Sequence, residues 1–410
     1  MWEDCPKNCY KLVIVEFFRK LESSPLNPKF MGEKVGLVRR AMKENGIDAW
    51  IIFSREANED PLVADLGLGS LVFRAAAVLD SNGNSIVCLN PFDVQTIRKR
   101  GFYEQIHDYG SAGIGQKLYE VVSGLRPEKI AVNTSEDFSL ADGLSSGLRN
   151  YLVRSLQEYG DKLVSSEELV ISLRAKLIPR EIELVKKSVA KCERIYDETE
   201  DFINTERTDK EIHDFMKKKV SSKGLEVAWD QAPSVAIGRF PASHLSYVNR
   251  KLRKGDFLRI DFGVKYEGYC SDIQRVFFMG DGAIPSELQR MFDTATRAND
   301  SCITAMKEGV PGYIGDKAAR DVVLSAGYPD FNHGTGHAVG RFVHEVGPQL
   351  EPRWPDLITV ADRPIQSSMV FTVEPSVQGK FGLCNLEQDV MVTGNGVIRL
   401  SKRQDDFIRR

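Results

Sequence analysis

The apolar positions of this chain follow two rhythms that exchange along its length. Between residues 31 and 165 helical and strand-like spacings alternate: a helix over about Met31 to Asn45 with Gly46 as its stop, strands at Ala49–Phe53, Ala75–Leu79, Ser85–Leu89 and Lys129–Val132, and a further helix around Ile114–Val122. Such alternation predicts an α/β domain. Ser165-Ser166-Glu167-Glu168 and Pro179 then punctuate the chain, and from Glu181 the apolar Ile182, Val185, Val189, Cys192, Tyr196 and Phe202 recur at helical spacing. Thr208 with Glu211 makes a capping box for a second helix ending at Gly224, and a strand is expected over Val227–Ala236. The same order returns about a hundred residues later. Ser286 with Gln289 is expected to cap a helix through Met306, a shorter helix covers Ile314–Leu324 and stops at Gly327, and strand-like segments follow. Helix, helix, strand, hairpin thus occurs twice, which predicts two similar halves around one central site. The domain boundaries read from this pattern are 1–168 and 169–410.

Charged residues break the apolar rhythm at few places, and those places cluster. Residues 261–272 read DFGVKYEGYCSD, a hairpin whose two apolar runs carry Asp261 and Asp272. Asp is poor in strands and costly to bury unless paired, so a metal, a buried Lys or Arg, or solvent must compensate the charge. Residues 331–345, FNHGTGHAVGRFVHE, hold three of the six histidines, His333, His337 and His344. Gly334, Gly336 and Gly340 between them would let the backbone approach a ligand or metal closely. Glu374 ends the apolar run that starts at Met369, and Glu387 sits inside another, Leu386 to Val392. Four inward acids repel one another by several kcal/mol without counter-charge, and two divalent cations would neutralise all four. An oxygen-rich site with one imidazole suits Mn, Co, Zn or Fe. Two ions ~3.5 to 4 Å apart can share a water and lower its pKa, which is hydrolytic machinery. His244, His333 and His344 would remain free to bind substrate or to stabilise a tetrahedral intermediate.

This set resembles the pita-bread metallopeptidase family, which includes Xaa-Pro dipeptidase (prolidase), aminopeptidase P, methionine aminopeptidase and the metal-free creatinase. The family's ligand order is Asp, Asp, His, Glu, Glu, with the second Asp eleven positions after the first, as Asp272 is after Asp261; His337, Glu374 and Glu387 match the other three. The resemblance covers roughly residues 170 to 400 and implies an α+β chain: a pita-bread domain of two pseudo-twofold helix-helix-strand halves, preceded by a smaller α/β creatinase-like domain. It further implies that Asp261 chelates one ion, that Asp272 and Glu387 bridge both, and that His337 and Glu374 complete the other, with manganese first among the candidate metals. By the same matching Glu374 is the proton shuttle, and His244, His333 and His344 are catalytic residues on the substrate side. The implied activity is hydrolysis of Xaa-Pro bonds at peptide N-termini with a metal-bridging water, in a homodimer. Two alternatives stand beside it: a metal-dependent hydrolase or lyase of a small non-peptide C–N substrate, and a non-catalytic binding protein. Asn385 stands where the Xaa-Pro branch commonly keeps Arg, Gln388 replaces the usual Asp, and a longer connection containing Glu351-Pro352-Arg353-Trp354-Pro355 follows the histidines. Without that Arg, Xaa-Pro-Yaa peptides are expected to be cleaved better than dipeptides, unless Arg353 supplies the charge.

Composition narrows the partners. At 410 residues two domains are expected, and 42% hydrophobic with 28% charged residues is the composition of a soluble globular protein. A formal charge of −3 points to neither nucleic acid nor an anionic membrane, and the clusters Arg98–Arg100 and Lys217–Lys219 are short and lack interleaved aromatics. The run Val13–Phe18 is too short for a signal or membrane segment and is broken by Glu16, so a cytoplasmic location is expected. Seven scattered cysteines suit reduced thiols, and Cys5 with Cys9 lacks a second pair of zinc ligands. Gly110, Gly113 and Gly115 lack the spacing of a dinucleotide-binding turn and are read as a loop.

Overall fold

A computed structural model of the chain describes residues 28–56, 60–69, 71–238 and 246–410; Cys5, Cys9, the run Val13–Phe18 and His244 lie outside the described residues. The chain divides into two compact units, Met1–Leu173 and Arg174–Arg410.

The first unit is an α/β layer. Helix α1 (Pro28–Glu44) ends before Gly46, whose φ of 61° suits glycine, and leads into β1 (Ala49–Ser54), β2 (Ala75–Asp80) and β3 (Ser85–Leu89). Then come α2 (Pro91–Arg100), β4 (Gln105–Asp108), α3 (Ile114–Leu125), β5 (Ile130–Val132), α4 (Ser146–Leu156), β6 (Leu163–Ser165) and α5 (Glu167–Arg174). The six strands form one mixed sheet in the order β4-β3-β2-β1-β5-β6, and Ile51, Phe53, Ala76, Val78, Leu118, Val122, Leu148 and Leu152 pack its core. Trp50, alternating with Ile51 along β1, donates its indole N–H to Asn133 Oδ1 (2.8 Å), which also accepts from the Ser166 hydroxyl (2.6 Å). Asn133 in turn donates to the buried Asp60 (2.7 Å). Burial pushes the Asp60 carboxyl up to about 6, against the Leu62 N–H and the Asn133 amide that favour its charge.

The second unit shows the doubled pattern. Its first half has helices α6 (Pro179–Glu200) and α7 (Asp209–Ser222), then β7 (Glu226–Val227), β8 (Ser234–Ile237), β9 (Phe257–Phe262), β10 (Val264–Tyr266), β11 (Tyr269–Cys270) and β12 (Ile273–Phe278). The Thr208–Glu211 capping box forms as expected. The strand expected over Val227–Ala236 is instead two: a turn closed by the Ala232 N–H on the Trp229 carbonyl separates β7, which pairs with β10, from β8, which pairs with β9. The second half has α8 (Ser286–Ala305), α9 (Gly312–Ser325), β13 (Ala338–Val339), a single turn α10 (Ile358–Ala361), then β14 (Val370–Val373), β15 (Ser376–Gly379), β16 (Gly382–Asn385), β17 (Gln388–Thr393), β18 (Gly396–Arg399) and β19 (Ile408–Arg409). The Ser286 cap does not form, because Pro285 occupies the N-cap and Ser286 is already the first helical residue. The two main sheets, β19-β12-β9-β8 and β13-β14-β17-β18, carry the unusual carboxylates in or beside their strands.

Candidate functional site

Asp261 is the penultimate residue of β9, held between Ser234 of β8 and Gln274 of β12, on the strand face that it shares with Arg259. Asp272 precedes β12, and its backbone N–H donates to Asp389 Oδ2 (3.0 Å). Glu374 follows β14, its N–H on the Thr335 carbonyl (2.7 Å), and Glu387 lies between β16 and β17. His337 is fastened to β14 twice: its N–H donates to Thr372 Oγ1 (3.0 Å) and its carbonyl accepts from the Thr372 N–H (2.9 Å). A Cβ on Gly336 would stand 2.1 Å from the Thr372 carbonyl. That glycine therefore serves strand packing, not the approach to an ion that the sequence suggested.

These fastenings bring five side chains together. One donor atom each of Asp272, His337 and Glu387 lies within 4.8 Å of the other two. His337 Nε2 is 3.7 Å from Asp272 Oδ2 and 3.5 Å from Glu374 Oε1, while the Asp261 and Asp272 carboxyls, and those of Asp272 and Glu387, are within hydrogen-bonding reach. Burial, then the Glu374 charge, pushes Asp261 up to about 7 despite Arg259; burial, then neighbouring carboxylates, drives Asp272 and Glu387 far above the carboxylate range. Glu374 behaves oppositely: burial is the largest influence and opposes its charge, but the His337 hydrogen bond together with the charges of His337, His333 and His344 outweighs it and holds the pKa below the ordinary value.

Asp261 Oδ1, Asp272 Oδ1 and Glu387 Oε2 are all buried without a hydrogen-bond partner. An unpaired buried carboxylate is costly, and three side by side must either take up protons, as their raised pKa values show, or have cationic charge among them. The donor set, four carboxylates and one imidazole, fits a pair of divalent ions.

Two further histidines lie beside this group. His333 Nδ1 donates to the Gly334 carbonyl (2.6 Å), which leaves Nε2 to accept from the Ser376 hydroxyl (2.6 Å). The loop that carries it hangs on α9: Asp316 accepts from Thr335 N–H and Oγ1, and Arg320 donates to the Phe331 and His333 carbonyls. The His344 ring stands edge-on to His337 at 4.3 Å, and His337, then burial, depresses its pKa to about 4, so it is neutral at pH 7. Its loop closes on Glu345, which accepts from the backbone N–H groups of Arg341, Phe342 and Val346 and from the Arg174 guanidinium (Nη2, 2.8 Å).

Three residues of the site were not anticipated. Arg259 is buried and donates to Asn385 Oδ1 (3.0 Å), with Asp261 and Glu374 close enough to act on its charge. A guanidinium therefore does face position 385, from β9 of a different sheet. Arg353 is engaged elsewhere, in an exposed pair with Asp362 (2.8 Å). Asp389, wholly buried and pushed up to about 7 chiefly by burial, orients the Asp272 backbone, and Gln274 Nε2 donates to Glu374 Oε2 (3.2 Å). Arg259 and Asp389 each interrupt an apolar run, which was the available signal.

The family model described as metallopeptidase family M24 matches residues 183–394. An uncharacterized peptidase of Staphylococcus saprophyticus is 26% identical over 327 residues, 78% of this chain and 86% of that one. The Xaa-Pro dipeptidase of Pyrococcus furiosus is 26% identical over 273 residues, 65% of this chain and 75% of that one. Among solved structures, the X-Pro aminopeptidase of Thermotoga maritima superposes with a TM-score of 0.70 at 25% identity, covering 90% of this chain and all of that one.

Proposed function

We propose, for a chain that belongs to metallopeptidase family M24, that it hydrolyses Xaa-Pro bonds at peptide N-termini with two divalent ions. Asp261, Asp272, His337, Glu374 and Glu387 would hold the ions. The observation that carries this reading is the trio of buried, partnerless carboxylate oxygens on Asp261, Asp272 and Glu387. Bound ions would polarise the scissile carbonyl and make water a nucleophile at neutral pH; manganese is our first candidate, with Co, Zn or Fe also suited to such a donor set.

The protein's own groups do the rest. Glu374, kept ionised by His337 and oriented by Gln274, takes a proton from the attacking water at Oε1 or Oε2 and delivers it to the departing proline nitrogen. His344, neutral at pH 7, offers an N–H to the oxygen that gains charge in the tetrahedral intermediate. His333 exchanges its Ser376 partner for substrate. Arg259, buried against Asn385, puts a guanidinium beside position 385, and the comparison of Xaa-Pro with Xaa-Pro-Yaa peptides decides whether that charge serves a dipeptide's carboxylate. Two relatives named for Xaa-Pro specificity and the matching two-unit fold support the substrate class.

Metal-stripped protein reloaded with Mn²⁺, Co²⁺ or Zn²⁺ and assayed on Xaa-Pro, Xaa-Pro-Yaa and Xaa-Ala-Yaa peptides tests this. Cleavage confined to the proline peptides and dependent on metal is expected. Metal-dependent turnover of none of them moves the activity to a non-peptide C–N substrate, and absence of both metal and turnover leaves a binding protein.

A further inference from the structure

We infer that Tyr196 and Asn299, which touch none of the reacting groups, are positioning residues for the metal centre. Each is a buried side chain on the first helix of its half, and each ties together the two backbone segments that carry that half's carboxylates. The inference rests on the metallopeptidase reading above.

On α6, Ser188, Cys192 and Tyr196 recur every four residues and so share one face. The Ser188 hydroxyl donates to the Val264 carbonyl (2.8 Å), the Cys192 thiol to Phe262 (3.3 Å) and the Tyr196 hydroxyl to Ile260 (2.9 Å). Four helical residues advance about 6 Å and two strand residues about 6.6 Å, so the two periods run in step and the helix is stitched along the strand. The Tyr196 hydroxyl also lies 2.7 Å from the Ile273 carbonyl. Its single proton is thus shared between the residue before Asp261 and the residue after Asp272.

The second half repeats the device with different chemistry. Asn299 of α8, fully buried, turns its Nδ2 to the carbonyls of Val373 (2.6 Å) and Leu386 (3.3 Å), the residues immediately before Glu374 and Glu387. Two acceptors require the two hydrogens of an amide nitrogen, which Asn supplies and Asp does not. In both halves the two acceptors are 13 residues apart, at 260 and 273 and at 373 and 386. One side chain per half therefore sets the distance between paired carboxylates from behind, where neither substrate nor ion reaches.

Calorimetric Co²⁺ titration of metal-stripped protein, with circular dichroism and melting as controls for folding, tests this. Tyr196→Phe removes only the hydroxyl and keeps the ring against Phe262, whose centroid is 5.7 Å away. Tyr196→Phe and Asn299→Ala should fold, bind Co²⁺ with a Kd raised on the order of ten-fold, and lose kcat with little change in KM. Ser188→Ala removes a buried bond from the same helix to Val264 of β10, a carbonyl adjacent to neither Asp261 nor Asp272; it should melt lower with Co²⁺ affinity unchanged. Wild-type Co²⁺ affinity in folded Tyr196→Phe, or an equal loss in Ser188→Ala, overturns the inference while leaving the metal reading intact. Failure of the wild-type chain to bind Co²⁺ overturns both. Should Asn299→Ala not fold, Tyr196→Phe decides.

Discussion

The pair Arg174–Glu345 offers the sharpest test of how the site is held. Their side chains are 3% and 0% exposed and meet at 2.8 Å. Glu345 Oε1 accepts from Arg174 Nε and the Val346 N–H, while Oε2 accepts from Arg174 Nη2 and the N–H groups of Arg341 and Phe342. Glu345→Gln removes the charge and turns two amide hydrogens against groups that are all donors. Breaking a buried ion pair from one side costs about 3 to 5 kcal/mol. At about 2 to 4 °C per kcal/mol for a unit of this size, the melting temperature of the catalytic unit should fall by roughly 10 °C. Arg174→Met should cost a similar amount by stranding the Glu345 charge. The double variant should be little worse than either single one, because the second change finds no partner left to strand, giving a coupling of about 3 kcal/mol. The measurement is urea or thermal unfolding in chelator, which removes any metal contribution to stability. Simple additivity of the two losses would refute the argument. Because the same carboxylate shapes the loop bearing His344, kcat/KM should fall in both single variants.

Glu387→Ala should lose both ions or nearly both, as elemental analysis after saturation and desalting would read; a wild-type chain that saturates at zero removes the basis for the site. His333→Ala and His344→Ala should each lower kcat/KM by about 100-fold with metal content unchanged, and loss of metal from His344→Ala would mean that the ligand was misassigned. The raised pKa of Asp60, about 6, means that the folded state binds its proton more tightly than the unfolded state. Stability due to this group therefore falls as pH rises from about 4 to 6, and the penalty above that approaches about 3 kcal/mol. The stability of Asp60→Asn relative to wild type should improve over that window in denaturant titrations, and a flat difference would contradict the assignment.

Much of the site was legible because charge in a buried strand is conspicuous. Asp261, Asp272, Glu374 and Glu387 each stand where an apolar run should continue, and the structure brings them together with His337. Arg259 carried the same signal, but its partner Asn385 lies 126 residues away, and only tertiary packing reveals that the two meet. The break between β7 and β8 was marked in the sequence by the polar pair Asp230-Gln231 and by Pro233, which has no N–H for a ladder. The Ser286 cap failed for a local reason, a proline one residue earlier. His244 is a candidate by resemblance and lies outside the described residues. The donors Ser188, Cys192, Tyr196 and Asn299 looked like ordinary helix-face residues, since nothing in a sequence tells which carbonyl a buried hydroxyl or amide will meet.

The stitching of α6 to β9 and β10 also bears on how the gene can change length. Deleting one residue between Ser188 and Tyr196 rotates the remaining donors by about 100° around the helix, and deleting one between Ile260 and Val264 sends the following carbonyls to the opposite side of the strand. Either change breaks several buried bonds at once, so insertions and deletions should be purged from both segments. Between them, from the end of α6 to the start of β9, positions outside α7, β7 and β8 set none of these spacings. In a library of single-codon deletions across this half of the gene, survivors should therefore be depleted in two narrow windows, around codons 188–196 and 260–264, that lie far apart in the sequence and share one physical cause.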